Sequence, residues 1–236
     1  MRILILGAGA IGGYFGARLI EAGADVSFLV RPGRKETLLR SGLRINSPLG
    51  NFDRQVRALT AQELRGPYEG VILACKAYDL GAAAAAVAPA MGPKSELLPL
   101  LNGYSHLEKL DELFGANRVL GGLAHLQVRL CDDGAIEHMS PLNAITFGSR
   151  NTVSSPLCEE LGRRFAATPV QATQTQDIEL AMWEKWVFLA TFAGMTCLMR
   201  GNVGEIVATR DGKAFCLSLL DECARIALAC SGRSMP

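Results

Sequence analysis

The first sixteen residues, MRILILGAGAIGGYFG, limit what this chain can fold into more than any other stretch. Ile3, Leu4, Ile5 and Leu6 form an unbroken apolar run, as expected of a strand buried on both faces of a parallel sheet. Gly7, Gly9 and Gly12 follow at once in G-x-G-x-x-G spacing, and a helix-prone run opens from about Ala10 to Leu19. Gly7 permits the tight strand-to-helix turn, Gly9 lets the backbone approach a pyrophosphate, and Gly12 lets the helix pack close to the sheet. Gly7, Ala8, Gly9, Ala10, Ile11 and Gly12 would then turn N–H groups and the positive helix end toward the anion. The plainer alternative is a tight turn with no ligand. The strand before the glycines and the helix after them favour a dinucleotide site.

Asp25 to Val30 reads as a second strand, ending at Arg31-Pro32-Gly33-Arg34. About twenty residues beyond such glycines, an NAD-preferring fold places an acid on the ribose 2′-hydroxyl. Arg31 stands there instead. A carboxylate would repel a 2′-phosphate, whereas a guanidinium binds it in two-pronged fashion, so NADP(H) is the expected cofactor, with Arg34 close enough to assist. A solvated strand-end arginine is the plain alternative.

Residues 43 to 65 read as a short strand pair and a brief helix. Gly70 to Ala74 then makes a third buried strand, followed by Lys76-Ala77-Tyr78-Asp79 and an alanine-rich helix from Leu80 to Ala90. Lys76 therefore sits at a carboxyl strand end, where it either meets an anion or caps a loop. Glu96 to Leu101 is the next strand, and Asn102-Gly103 ends it before a helix from about His106 to Phe114. The Asn102 amide either bonds a nicotinamide or substrate oxygen or holds the turn. Val119 to Leu130, Ala135 to Met139 and Ala144 to Gly148 alternate like hairpin strands, and a helix follows from about Pro156 to Phe165.

Strand signals fade after Thr168-Pro169 and helical periodicity takes over from Asp177. The expected domains are residues 1–170, an α/β Rossmann-type unit, and 171–236, all helical. Asp177 can cap a long helix whose positions Ile178, Met182, Lys185, Leu189, Phe192 and Thr196 share one side. Lys185 is the one charge on that apolar stripe: it either serves a cleft or snorkels to water.

Net charge is +1, which gives no reason to expect nucleic acid or an anionic membrane as partner. MRILIL runs straight into the glycine turn with no cleavage site, and the run Trp186 to Met199 falls short of the ~20 residues a bilayer span needs. The seven cysteines form no C-x-x-C pair, and His106, His125 and His138 share no ligand spacing, so no metal site is expected and the histidines are assigned to surface or strand positions. Reduced thiols in a cytoplasmic protein fit better.

Taken together and in order, GAGAIGG, the Arg31 strand end, Lys76-Ala77-Tyr78-Asp79, Asn102-Gly103, the hairpin with Gly134 and His138, Asp177-Ile178 and Trp183-Glu184-Lys185 resemble the ketopantoate reductase (2-dehydropantoate 2-reductase) family over essentially the whole chain. The resemblance implies an NADPH-binding Rossmann domain, a helical domain like the C-terminal part of 6-phosphogluconate dehydrogenase, and an active site between them. It implies hydride transfer from NADPH to the 2-oxo group of ketopantoate, giving pantoate for pantothenate and coenzyme A. By the same resemblance Gly7, Gly9 and Gly12 hold the pyrophosphate, Arg31 meets the 2′-phosphate, and Lys76 lies by cofactor and substrate. Asn102 contacts the nicotinamide side and substrate, and Lys185 is the proton donor.

Some positions depart from the family. Leu189 and Ala193 stand where it carries asparagines for the substrate, Val203 replaces the asparagine before Gly204-Glu205, and Leu101 replaces a glutamine. The chain also stops, in a loop at Gly232 to Pro236, short of the family's last helices, which suggests a truncated form with an exposed apolar face and so a possible homodimer. These departures leave three readings open: a 2-oxo acid reductase, a reductase of a more apolar ketone or a related imine, and a non-catalytic NADP(H)-binding module.

Overall fold

The computed structural model describes residues 1–151, 153–233 and 235. They divide into two compact units, Met1–Leu101 with Ser105–Ile178, and Asn102–Tyr104 with Glu179–Pro236.

The first unit is α/β. Strand β1 (Arg2–Leu6) leads through the glycine turn into α1 (Ala10–Glu21), then β2 (Asp25–Leu29) and α2 (Pro32–Ser41). Three short strands follow, β3 (Leu43–Asn46), β4 (Phe52–Arg54) and β5 (Arg57–Leu59), before β6 (Tyr68–Leu73), α3 (Leu80–Val87), β7 (Met91–Pro99) and α4 (His106–Phe114). The chain then forms the long pair β8 (Gly121–Leu130) and β9 (Ile136–Gly148), helix α5 (Pro156–Phe165) and strand β10 (Gln171–Gln174). One sheet is wholly parallel in the order β5-β2-β1-β6-β7. β1 lies at its middle, and Ile3, Leu4 and Ile5 have no exposed surface, which is why that run has no polar alternation. The second sheet runs β10-β9-β3-β4 with β8 on β9. Between the sheets α1 buries Tyr14, Phe15 and Leu19, and Phe15 meets Phe165 of α5 edge-on at 5.9 Å.

Several local expectations change. Residues 43–59 hold three strands, and Ala61 to Glu63 form a turn rather than a helix, because β5 is drawn to the parallel sheet beside β2 while β3 and β4 pair with each other. α2 was hidden by Pro32 and Gly33, although proline suits the first turn of a helix. Ile136 to Gly148 is one strand, not two, since β8 pairs along it through an irregularity at Leu126/Val128. Strand β10 lies beyond Pro169 and pairs parallel with β9, so the two units divide after Ile178 rather than after residue 170. Its sequence, QATQ, is largely exposed and polar, and no alternation marks it.

The second unit is helical: most of α6 (Ile178–Met199), then α7 (Val203–Val207) and α8 (Gly212–Ser231), with the segment Asn102–Tyr104. Trp183 and Val187 of α6 pack with Cys223 and Ala227 of α8. Helix periodicity puts these α6 residues opposite Lys185, so the stripe that carries Lys185 is not the core face of this unit. The stripe passes from buried Ile178 and Met182 through half-buried Lys185 and Leu189 to exposed Phe192. Asn202 and Glu205 form a reciprocal capping box that starts α7, Asn202 Oδ1 accepting from the Glu205 N–H at 3.0 Å. The loop expected at 232–236 includes Ser234 and Pro236, which lie outside the described residues. All seven cysteines are free thiols, and among the described residues no helix is long and apolar enough to cross a membrane.

Candidate active site

The carboxyl ends of β2, β1 and β6 lie side by side in the first unit and carry the cofactor candidates. Gly7 has φ +97°, a left-handed conformation that side chains disfavour, and its N–H is tied to Leu29 O at 2.9 Å. At Gly12 a Cβ would run into the Gly7 carbonyl oxygen and come within 2.9 Å of Ala74 Cβ. The helix can sit this close to the turn only because Gly12 has no side chain. Gly9, which caps α1 with no side-chain bond, has nothing within 4 Å of where a Cβ would stand. That open space beside a helix start fits an incoming pyrophosphate, because the first-turn N–H groups Gly9 to Gly12 have no partner within the helix.

Flanking the turn, Arg31 caps α2 at the end of β2, and its largely exposed guanidinium donates to Asp79 at 3.1 Å. Lys76 precedes a single 3-10 turn, Ala77–Asp79, with the Asp79 N–H bonded to Lys76 O at 2.9 Å. Lys76 is exposed at the end of β6, on the other side of β1 from Arg31. Arg34 is not free to assist at the surface: its Nε donates to Ala8 O at 3.0 Å and its Nη1 to Gly134 O at 2.9 Å.

In the second unit Lys185 Nζ donates to Asn102 Oδ1 at 3.0 Å, which joins two candidates 83 residues apart. Tyr104 makes this meeting possible. Its ring stacks on Trp183 at 4.6 Å and 24°, and its hydroxyl donates to Glu179 Oε1 at 2.9 Å. Those two contacts, one turn apart on α6, hold the Asn102–Tyr104 segment beside Lys185, and Gly103 makes the bend with φ +90°. Burial of the ammonium lowers the Lys185 pKa from 10.5 to about 8. A lysine at about 8 gives up a proton near neutral pH far more readily than an ordinary one. Beyond it on the same face lie Phe188, Leu189, Phe192 and Ala193, with the Phe188 and Phe192 rings stacked at 5.9 Å and both exposed.

Sequence reasoning missed Tyr104, Trp183 and Glu179 as the support for Asn102. The only signal was an aromatic two residues after Asn102 and another two before Lys185, a spacing that says nothing until the fold brings them together. His106 differs from expectation, being neither at the surface nor in a strand, whereas His138 lies in β9, a strand position as expected. His106 is buried at the start of α4 with its pKa pushed down to about 4, first by burial and then by Arg150, and buried His138 lies between Ser47 Oγ and Leu142 O. Both are held inside the first unit.

The family model described as "Ketopantoate reductase PanE/ApbA" matches residues 3–152, and its C-terminal counterpart matches 177–234. The oxidoreductase YkpB of Bacillus subtilis (strain 168) is 38% identical over 222 residues, covering 94% of this chain and 73% of that protein. The 2-dehydropantoate 2-reductase of Mesorhizobium japonicum is 28% identical over 96% of this chain and 76% of its own. The crystal structure of 2-dehydropantoate 2-reductase from Geobacter metallireducens GS-15 superposes with a TM-score of 0.87 at 30% identity, over 97% of this chain and 76% of that one. With its parallel sheet, its glycine turn and a helical unit that pairs Lys185 with Asn102, the chain belongs to the ketopantoate reductase PanE/ApbA family of oxidoreductases.

Proposed function

We propose that this protein reduces the keto group of a 2-oxo acid with NADPH, Lys185 giving the proton; ketopantoate is the substrate named by the family. The observation that carries the proposal is Lys185 itself, half-buried, held by Asn102 and with its pKa lowered to about 8. Gly7, Gly9 and Gly12, with the N–H groups from Ala8 to Ile11, would hold the pyrophosphate. Arg31 would exchange its exposed bond to Asp79 for the 2′-phosphate, and Lys76 would add positive charge. When bound, NADPH supplies the hydride. Lys185 stabilises the negative charge that grows on the ketone oxygen as the carbonyl carbon is reduced, then transfers its proton to that oxygen and is left neutral. Asn102 orients the ammonium and offers its amide to the substrate. The products are a 2-hydroxy acid and NADP⁺, with one proton consumed from solvent to restore Lys185.

A second reading of the substrate has its own support. Phe188, Leu189, Phe192 and Ala193 place no hydrogen-bonding group along the face beyond Lys185 until Thr196. A substrate hydroxyl left facing this surface loses about 0.5–1.5 kcal/mol for an unmade hydrogen bond. A 2-oxo acid with an aliphatic or aromatic side chain suits it better. Absorbance of NADPH, followed with ketopantoate, 2-oxoisovalerate and phenylpyruvate, tests both readings. Turnover by wild type that collapses in Lys185→Met with NADPH binding intact is the expected result, and the preferred substrate decides between them. Binding of NADPH without turnover of any 2-oxo acid contradicts the proposal.

A further inference from the structure

Arg34 stands in the first turn of α2, outside the glycine motif and outside the reaction, yet it touches both the glycine turn and the turn between β8 and β9. Its Nε holds the Ala8 carbonyl at 3.0 Å and its Nη1 holds the Gly134 carbonyl at 2.9 Å. Its remaining nitrogen, Nη2, is buried and has no hydrogen-bond partner among the described residues. Gly134 has φ +82°, and a Cβ there would lie 2.8 Å from Arg34 Nη1 and 2.7 Å from Thr37 Cγ2. The β8–β9 turn is thus shaped to admit this guanidinium. The same turn is anchored by Arg44, whose Nη2 donates to the Asp133 carbonyl and carboxylate, each at 3.0 Å.

The consequence for the turn follows from peptide geometry. Carbonyl and N–H point to opposite sides of one planar trans unit, so fixing the Ala8 carbonyl also fixes the Gly9 N–H. Gly9 is the residue with open space where a Cβ would be, and without a side chain its backbone is free to take other conformations. A guanidinium charge on the Ala8 oxygen also polarises that peptide, which strengthens its N–H as a donor.

We propose that Arg34 is a positioning residue for the dinucleotide: it locks the Ala8–Gly9 peptide with the Gly9 N–H toward the pyrophosphate and braces that lock against the β8–β9 turn. It is not a ligand of the 2′-phosphate, because two of its nitrogens are committed to carbonyls and the third is buried. This role rests on the proposed dinucleotide site, and the test separates the two claims.

Dissociation constants for NADPH, NADH and adenosine 2′-monophosphate are measured by titration for wild type, Arg34→Met, Arg34→Lys and Arg31→Met. Removing Arg34 by the methionine change weakens NADPH and NADH by the same factor, roughly tenfold, and leaves adenosine 2′-monophosphate, which has no pyrophosphate, unchanged. Arg34→Lys keeps the charge on a single donor nitrogen that cannot copy the two-carbonyl fork and falls between, again with the NADPH to NADH ratio constant. Arg31→Met weakens NADPH and adenosine 2′-monophosphate but not NADH. A selective loss of NADPH and adenosine 2′-monophosphate in either Arg34 variant would make Arg34 a phosphate ligand and overturn the proposal. So would unchanged binding of all three. If Arg34→Met does not fold, Arg34→Lys carries the same comparison. Failure of wild type to bind either dinucleotide contradicts the site itself.

Discussion

Lys185 titrates near 8 rather than 10.5 because its ammonium is half withdrawn from water, and this gives a test in which rate and stability move in opposite directions. If Lys185 is the proton donor proposed above, it must be charged when NADPH reduces the substrate. kcat/KM for reduction is therefore flat below pH 8 and falls about tenfold per pH unit above it, whereas an ordinary lysine would stay active to beyond pH 10. Lys185→Met removes the donor, and kcat falls by about 10²–10⁴-fold with the NADPH dissociation constant unchanged. Stability changes the other way. Between pH 8 and 10.5 the unfolded chain keeps the Lys185 proton that the folded chain has released, so stability rises with pH across that window; below pH 8 the whole burial penalty is present. At ~1.36 kcal/mol per pH unit the ceiling is ~3.4 kcal/mol. Water on the open side of Lys185 and the Asn102 bond reduce this to about 1–2 kcal/mol. Lys185→Met is therefore more stable than wild type at pH 7 by that amount in urea unfolding, and the advantage shrinks to nothing by about pH 10.5. A rate that stays flat to pH 10, or a methionine variant less stable than wild type at pH 7, refutes the reasoning.

Other expectations concern the cofactor turn and the substrate face. Asp79→Asn releases Arg31 from its exposed ion pair and removes a carboxylate from near the 2′-phosphate, so NADPH binds about two- to fivefold more tightly with NADH unaffected, as titration of both will show. Gly12→Ala forces a methyl group against the Gly7 carbonyl and Ala74, and thermal unfolding should reveal a loss of about 2–4 kcal/mol. Leu189→Asn places an amide one turn beyond Lys185; the ratio of kcat/KM for ketopantoate to that for 2-oxoisovalerate rises about threefold to tenfold. Tyr104→Phe loses the hydroxyl bond to Glu179 and keeps the stack on Trp183, so the Asn102–Lys185 pair loosens and kcat falls several-fold, whereas Tyr104→Ala loses both contacts and costs more.

What could be read from the sequence was what depends on neighbours along the chain. The apolar run of β1, the glycine spacing, and helices α4 and α5, which occur about where they were expected, all carry local signals of period, turn and cap. Strand β10 carries none, because QATQ becomes a strand only when the edge of β9 offers it partners. The same limit applied to the site. Lys185 stood out as the one charge on an apolar stripe, but the stripe is not the core face of its unit, and its pairing with Asn102 depends on Tyr104 reaching Trp183 and Glu179. Arg34 was visible only as a second basic residue near a strand end. Nothing local distinguishes an arginine that faces a phosphate from one turned inward onto two carbonyls.

The most direct measurement uses NADPH carrying deuterium at the nicotinamide C4 position and a 2-oxo acid, with the product examined by mass spectrometry. One deuterium at C2 of a 2-hydroxy acid, formed one for one with NADP⁺ by wild type and at least a hundredfold more slowly by Lys185→Met, is the predicted result. Bound NADPH that never labels a 2-oxo acid, or labelling at an equal rate without Lys185, would contradict the account.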